Sequence, residues 1–215
     1  TFDPQSSDTA IQDAIDAANP GDIISVAAGT YAESVLINKS VTLQSTDGAA
    51  STIIASTSGP AILLRADDVT VDGFTLTSSN SWGLDLDAAS GTPLPAGGVD
   101  NTLVQNCVFS GSHHEGLYIG HGASVSNFMV SACVFNNNRN GIGISGGTTV
   151  VDNLTIKDSV LSDNDDHGLY LKGATLNDLL IQDTDFMDNE DEGIHLDGPS
   201  VAPFTIEGGT IENNA

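Results

Sequence analysis

The sequence predicts an all-β protein: a coil of short parallel strands, about seven rungs long, with a short helix at its start. Three features point to it. A Gly, aliphatic, variable, aliphatic pattern recurs as Gly83-Leu84-Asp85-Leu86, Gly116-Leu117-Tyr118-Ile119, Gly141-Ile142-Gly143-Ile144, Gly168-Leu169-Tyr170-Leu171 and Gly193-Ile194-His195-Leu196. The last four of these glycines fall 25, 27 and 25 residues apart. Between them lie only short apolar alternations such as Leu154-Thr155-Ile156 and Leu179-Leu180-Ile181, with no helical stretch, so each period reads as one rung paired strand on strand with the next. Equivalent residues then stand about 4.8 Å above one another.

In chain order, Ser7-Asp8-Thr9 precedes Ala10-Ile11-Gln12-Asp13-Ala14-Ile15-Asp16-Ala17-Ala18, whose apolar residues recur at helical spacing with Asp early in the run. This predicts a short helix, ended by Asn19-Pro20-Gly21-Asp22 and followed by a first strand at Ile23-Ile24-Ser25-Val26. Such a helix would cover the open end of the coil, where unpaired strand edges and the apolar interior would meet water. Residues 1–22 are therefore expected to cap a single domain whose rungs occupy 23–215. Ala88 to Asp100 reads as an insertion that lengthens the third rung and forms a loop beside it. A second apolar column runs Phe109, Phe135, Leu161, Phe186 and Ile211. Asn138, Asn164, Asn189 and Asn214 follow it by three residues, with Ser112 in that place one rung earlier, and predict an inward ladder of stacked amides. Cys107 and Cys133 share a column with Ser159 and Thr184; stacked residues have parallel Cβ vectors, which favours buried free thiols over a disulfide. Thr205 to Ala215 ends in a rung's turn without a capping helix, so more chain or another subunit is expected to cover that end.

The chain has 215 residues with 5 Lys+Arg against 29 Asp+Glu, a formal net charge of -24. Nucleic acid and anionic membranes would be repelled, and no apolar run approaches the roughly 18 residues of a membrane span. So strong a negative field suits saline or calcium-rich surroundings. Calcium is a possible cofactor through Asp165-Asp166 and Glu190-Asp191-Glu192, although no EF-hand loop or Gly-Gly-x-Gly-x-Asp repeat is present. The two cysteines lack the spacing of a zinc site.

The run Ala10 to Ile24, then Ala28-Gly29-Thr30-Tyr31-Ala32-Glu33-Ser34-Val35 and Ile37-Asn38-Lys39-Ser40-Val41-Thr42-Leu43, resembles the opening of pectin-lyase-like right-handed parallel β-helices. With the rungs, the resemblance covers nearly the whole chain. It implies a right-handed coil, secretion and carbohydrate handling. It implies no single activity, because that superfamily includes lyases, hydrolases, esterases, epimerases, adhesins and phage tailspikes.

Within each Gly-aliphatic-x-aliphatic strand the aliphatic residues face inward, so one outward column is expected to hold Asp85, Tyr118, Gly143, Tyr170 and His195, and the next Asp87, Gly120, Ser145, Lys172 and Asp197. His113-His114-Glu115, Arg139-Asn140, Asp165-Asp166-His167 and Glu190-Asp191-Glu192 lie just before the glycines. The 88–100 insertion and these charged turns would wall a groove for a polymer. His167, Tyr170, Lys172 and His195 are the candidate catalytic set: a cation to neutralise a uronate carboxylate, an imidazole to take the C5 proton and a phenol to protonate the opposite side, the logic that the resemblance to lyases and C5-epimerases implies. Trp82, Asp85, Glu115, Tyr118 and Arg139 are the candidate substrate-binding set, with Trp82 either stacking on a sugar ring or capping a rung. Pairs among Asp85, Asp87, Glu115, Asp166, Asp191 and Glu192 offer a hydrolytic alternative, and Gly120-His121-Gly122 is similar to a short polygalacturonase element without its aspartates. The expected function is an extracellular polysaccharide-processing or polysaccharide-binding protein, or else a noncatalytic segment of a secreted adhesin or surface protein.

Overall fold

The computed structural model describes residues 9–89 and 91–215. Ser7 and Asp8, expected to lead into the helix, and Ser90 of the insertion lie outside them. The described chain is a right-handed parallel β-helix whose strands fall into sheets of nine, eight and seven strands. Each rung contributes one strand to each sheet in turn, and rungs pair in parallel, as Leu154↔Leu179, Phe135↔Leu161 and Leu169↔Ile194 illustrate for the three sheets.

The helix Ala10–Ala17 lies over the first rung and buries Ala10, Ile11 and Ile15. Its free ends are held by that rung rather than by its own flanks. The buried Glu33 carboxylate accepts the N–H groups of Ile11 and Gln12, each at 3.0 Å. Lys39 Nζ donates to the carbonyls of Ile15, Asp16 and Ala18 at 3.0, 2.7 and 3.0 Å. A carboxylate at the helix start and an ammonium at its end both complement the helix dipole.

Corners explain much of the composition. The turn from first to second sheet repeats at Gly73, Asn106, Ala132, Asp158, Asp183 and Gly208, and the turn after the second sheet at Gly111, Asn137, Asp163, Asp188 and Asn213, all with φ between 45° and 81°. Among residues with a Cβ, Asn and Asp tolerate this left-handed region best. Part of the acidity therefore sits at corners whose backbone favours Asp or Asn. The glycine column has another cause: a Cβ at Gly141 would stand 2.6 Å from the Gly168 carbonyl oxygen of the next rung.

The interior is a set of columns. Phe109 and Phe135 stack with ring centroids 4.4 Å apart and planes at 7°. The asparagine ladder forms as expected. Asn164 Nδ2 donates to Phe135 O at 3.1 Å and Asn189 Oδ1 at 2.9 Å, while Asn164 Oδ1 accepts the Asn138 N–H at 3.2 Å. Ser112 joins it by donating its N–H to Asn138 Oδ1 at 3.0 Å. Cys107 and Cys133 are free and buried. Burial pushes the Cys107 thiol well above its usual range. At the last rung Leu196, Ile206 and Ile211 remain exposed.

Candidate functional site

The third sheet carries polar chemistry on its outer face in two columns. The residue before each rung glycine gives Trp82, Glu115, Asn140, His167 and Glu192. The first outward residue of each strand gives Asp85, Tyr118, Gly143, Tyr170 and His195, paired rung to rung in that order. Because the strands are rigidly registered, a side chain in one column reaches a neighbour in the other within the same rung or the next.

The early half of this face is covered, which corrects the expectation of an open groove. Asp85 is 0% exposed, Tyr118 7% and Glu115 8%. Tyr118 and Glu115 are covered by Trp82, Ser145 and Asn140; at Asp85 the covering depends on Arg65, which carried no motif in the sequence. Buried itself, it donates from Nε to Thr92 O at 2.7 Å, from Nη1 to Leu64 O at 2.6 Å and Asp85 O at 3.2 Å, and from Nη2 to Asp87 O at 2.8 Å. These bonds fasten the insertion onto strand Leu84–Asp87, so it acts as a roof and not as a wall. Val99 and Asp100, expected in that loop, already belong to strand Val99–Gln105. Burial lowers the Arg65 pKa against the opposing charges of Asp85 and Asp87, and a guanidinium stays protonated regardless. Beside the roof, His121 Nδ1 lies 2.9 Å from Asp87 Oδ2.

Trp82 is also committed to the protein. It stacks on Tyr118, with centroids 5.1 Å apart and planes at 7°, and donates Nε1–H to Glu115 Oε2 at 2.7 Å. Asn140 Nδ2 donates to the other Glu115 oxygen at 3.0 Å. The Tyr118 hydroxyl lies 2.8 Å from Ser145 Oγ. Burial pushes the Tyr118 phenol up, Ser145 opposes the shift, and the charges of Asp87, Glu115 and Asp85 add to it. Of the expected binding residues, Arg139 alone stays well exposed, with 57% of its side chain accessible.

The later half of the face is open, and there the four expected catalytic residues meet. His167 stacks on Tyr170 and His195 with ring centroids 5.3 and 4.4 Å away, and Tyr170 and His195 are 5.4 Å apart. Lys172 Nζ lies 3.0 Å from Asp197 Oδ2. Hydrogen bonding to Asp197, and then to Tyr170, raises the Lys172 pKa. Arg139 Nε lies 2.9 Å from Asp166 Oδ2, and that bond raises its pKa. Glu192 is the member that sequence reasoning left among the turn carboxylates. Its Oε2 lies 3.0 Å from His167 Nδ1 and 3.2 Å from His195 Nδ1. A bond from its own backbone N–H holds the Glu192 carboxyl below the usual range, with His195 and His167 contributing less. The signal was present in the spacing: Glu192 follows His167 by the same 25 residues that separate Tyr170 from His195.

Parallel rungs, three sheets and an outward polar face define a β-helix protein. Residues 60–215 match the family described as the right handed beta helix region, and the chain belongs to that family. A cell surface glycoprotein of Methanothermus fervidus is 33% identical over 110 residues, which are 50% of this chain and 17% of that protein. This chain therefore corresponds to a small part of that relative. Among solved structures, the A-module of mannuronan C-5 epimerase AlgE4 from Azotobacter vinelandii is similar with a TM-score of 0.53 at 16% identity, over 97% of this chain and 74% of that one. The catalytic domain of Agl-KA gives 0.59 at 17% identity, over 97% of this chain and 45% of that one. At such identities the likeness is one of fold. Among the described residues no helix is long and apolar enough to cross a membrane.

Proposed function

We propose that this β-helix acts on a polysaccharide outside the cell, through His167, Tyr170, Lys172 and His195. The observation that carries this reading is the clustering of His167, Tyr170 and His195, from two adjacent rungs, on the uncovered half of a long strand face, with Lys172 beside them through a hydrogen bond to Tyr170. The fold shared with an epimerase module and the match to a surface glycoprotein support it. In the catalytic form, Lys172 or Arg139 turns from its carboxylate to a uronate carboxylate, and an imidazole of His167 or His195 takes the C5 proton. The carbanion is stabilised by delocalisation into that neutralised carboxylate. Tyr170 then returns a proton to the opposite face of C5, as in an epimerase. In a lyase it protonates the departing oxygen as the C4–O bond breaks and the C4=C5 double bond forms. Trp82, Asp85, Glu115 and Tyr118 are committed to contacts within the protein and leave polymer contact to Arg139.

A panel of uronate and neutral glycans, incubated with the full chain, tests this by ultraviolet absorbance of unsaturated products, NMR of inverted uronates and assay of new reducing ends. Turnover that disappears in His195→Ala and Tyr170→Ala is the expected result. Absence of product from every glycan overturns the catalytic form.

A second reading, a noncatalytic segment of a surface protein, draws on two observations. The relative in sequence is a surface glycoprotein, and both cations of the open face already have carboxylate partners, Lys172 with Asp197 and Arg139 with Asp166. In that reading the same variants alter glycan binding alone.

A further inference from the structure

We propose that His167, Glu192 and His195 form a binding site for a divalent transition-metal ion. The ligand atoms of these three residues all lie within 4.8 Å of one another. Two donors on one such ion, each about 2.0–2.2 Å from it, stand about 3–4 Å apart. The observed separations of 3.0 and 3.2 Å between Glu192 Oε2 and the two Nδ1 atoms already fall in that range. The two imidazoles, stacked with centroids 4.4 Å apart and planes at 18°, must still turn about their side-chain torsions so that both in-plane nitrogen lone pairs aim at the ion.

The state of the His167 imidazole points the same way. Its Nδ1 is buried and, although close to the Glu192 carboxylate, makes no aligned hydrogen bond. A buried ring nitrogen without a partner is costly, and a cation shared with Glu192 and His195 would satisfy it. The backbone holding the ligands is fixed by register: His195 sits within strand Ile194–Asp197, registered on Tyr170 of the preceding rung, whose ring stacks on His167 and lies tilted against His195. Glu192 stands one rung above His167 in the same column, so the period of the coil builds the ligand set.

Donor chemistry selects the ion. Two imidazoles and one carboxylate suit Zn²⁺, Co²⁺, Ni²⁺ or Cu²⁺, whereas Ca²⁺ and Mg²⁺ require mostly oxygen. The side of the cluster toward solvent is open, with 52% of the Glu192 side chain accessible, which leaves coordination positions for water or another ligand. Ligation takes both imidazoles out of proton transfer and leaves Tyr170 and Lys172 as the protic groups. A bound ion and an imidazole acting as the C5 base are therefore alternatives at these two residues, and because the ion needs no glycan, its titration distinguishes failure of the metal site from failure of the carbohydrate reading.

The test is calorimetric titration of the chelator-treated full chain with Zn²⁺, together with visible spectroscopy of Co²⁺ binding. One saturable site is expected, with a d–d spectrum for Co²⁺ and no displacement by excess Ca²⁺. Because His195 and Glu192 are partly exposed, His195→Ala and Glu192→Gln should fold normally by circular dichroism while weakening Zn²⁺ binding at least about tenfold. His114→Ala, at a residue that packs against Trp82 and is outside the ligand set, should leave binding unchanged. Absence of saturable binding, or binding that survives both ligand variants, overturns the proposal.

Discussion

The Glu115 side chain lies across Gly143, where an added Cβ would stand 2.6 Å from Glu115 Cγ and 3.2 Å from Cδ. Read from the sequence, Gly143 is a gap in an outward row of polar residues. In the structure it is the space that lets a carboxylate lie flat and accept bonds from Trp82 on one side and Asn140 on the other. The glycine thereby separates the covered half of the face from the open half.

Gly143→Ala should therefore displace Glu115 and disturb both bonds. A loss of about 1–3 kcal/mol is expected, the cost of unpairing buried polar groups. Trp82 is the sole tryptophan, so its fluorescence reports the change directly. A variant with the native emission spectrum and melting temperature would show that Glu115 can lie elsewhere without cost.

The asparagine ladder makes a second expectation. Asn164 is fully buried and bonded both to the rung before and to the rung after. Asn164→Leu fills the volume but removes those partners, and should lower stability by about 1–3 kcal/mol in denaturant unfolding. An unchanged midpoint would mean that the turn backbone finds other partners.

What the sequence made legible follows from how a coil is built. Register copies each residue onto the next rung, so any column, whether glycine, phenylalanine or asparagine, appears as a repeat that a single chain displays. The meeting of His167, Tyr170, Lys172 and His195 was readable for the same reason. The roof was not. It depends on Arg65 reaching Asp85, Asp87 and Thr92, residues 20 to 27 positions away and without periodicity. Outwardness, inferred from strand alternation, was correct for the direction of Asp85 and Tyr118 but not for their exposure, because an insertion can cover a face that alternation leaves open.

Arg65→Ala tests the roof. The change removes the bonds that hold the carbonyls of Leu64, Asp85, Asp87 and Thr92, a loss of about 1–3 kcal/mol for each buried group left unpaired. Limited proteolysis should then cut within residues 88–98 at a site protected in the parent chain. Equal resistance of both proteins would mean that the insertion is held by apolar contacts such as Leu94.

The phenols give a pH signature. Burial is the leading cause that raises the pKa of both Tyr31 and Tyr118 above the ordinary phenol value. A raised folded value means that the contribution to stability is complete below the ordinary phenol pKa and is lost as pH rises through it toward the folded value. Absorbance titration should show Tyr31 and Tyr118 ionising late and together with unfolding, and Tyr118→Phe should remove one of these late steps. The same late absorbance change in Tyr118→Phe as in the parent chain would contradict the burial of Tyr118.

Salt should stabilise the coil, and the reason lies in its corners. Asp158 and Asp183 follow the paired residues Lys157 and Gln182, and Asp163 and Asp188 follow Ser162 and Met187, so like charges stack on adjacent rungs about 4.8 Å apart. The left-handed backbone favours Asp or Asn at these positions, which sets local geometry against charge repulsion. Asn would satisfy the backbone without the charge. Sodium chloride screens exposed charges within a Debye length of about 10 Å at 0.1 M, and should raise the thermal midpoint at neutral pH. Calcium should raise it further only if turn rows such as Asp165-Asp166 and Glu190-Asp191-Glu192 bind the ion, since binding to the folded state adds stability beyond screening. Asp158→Asn combined with Asp183→Asn should raise the midpoint at low salt and shrink the response to sodium chloride. A midpoint independent of salt in the parent chain would show that the stacked carboxylates are already far enough apart, or well enough hydrated, for repulsion not to limit the fold.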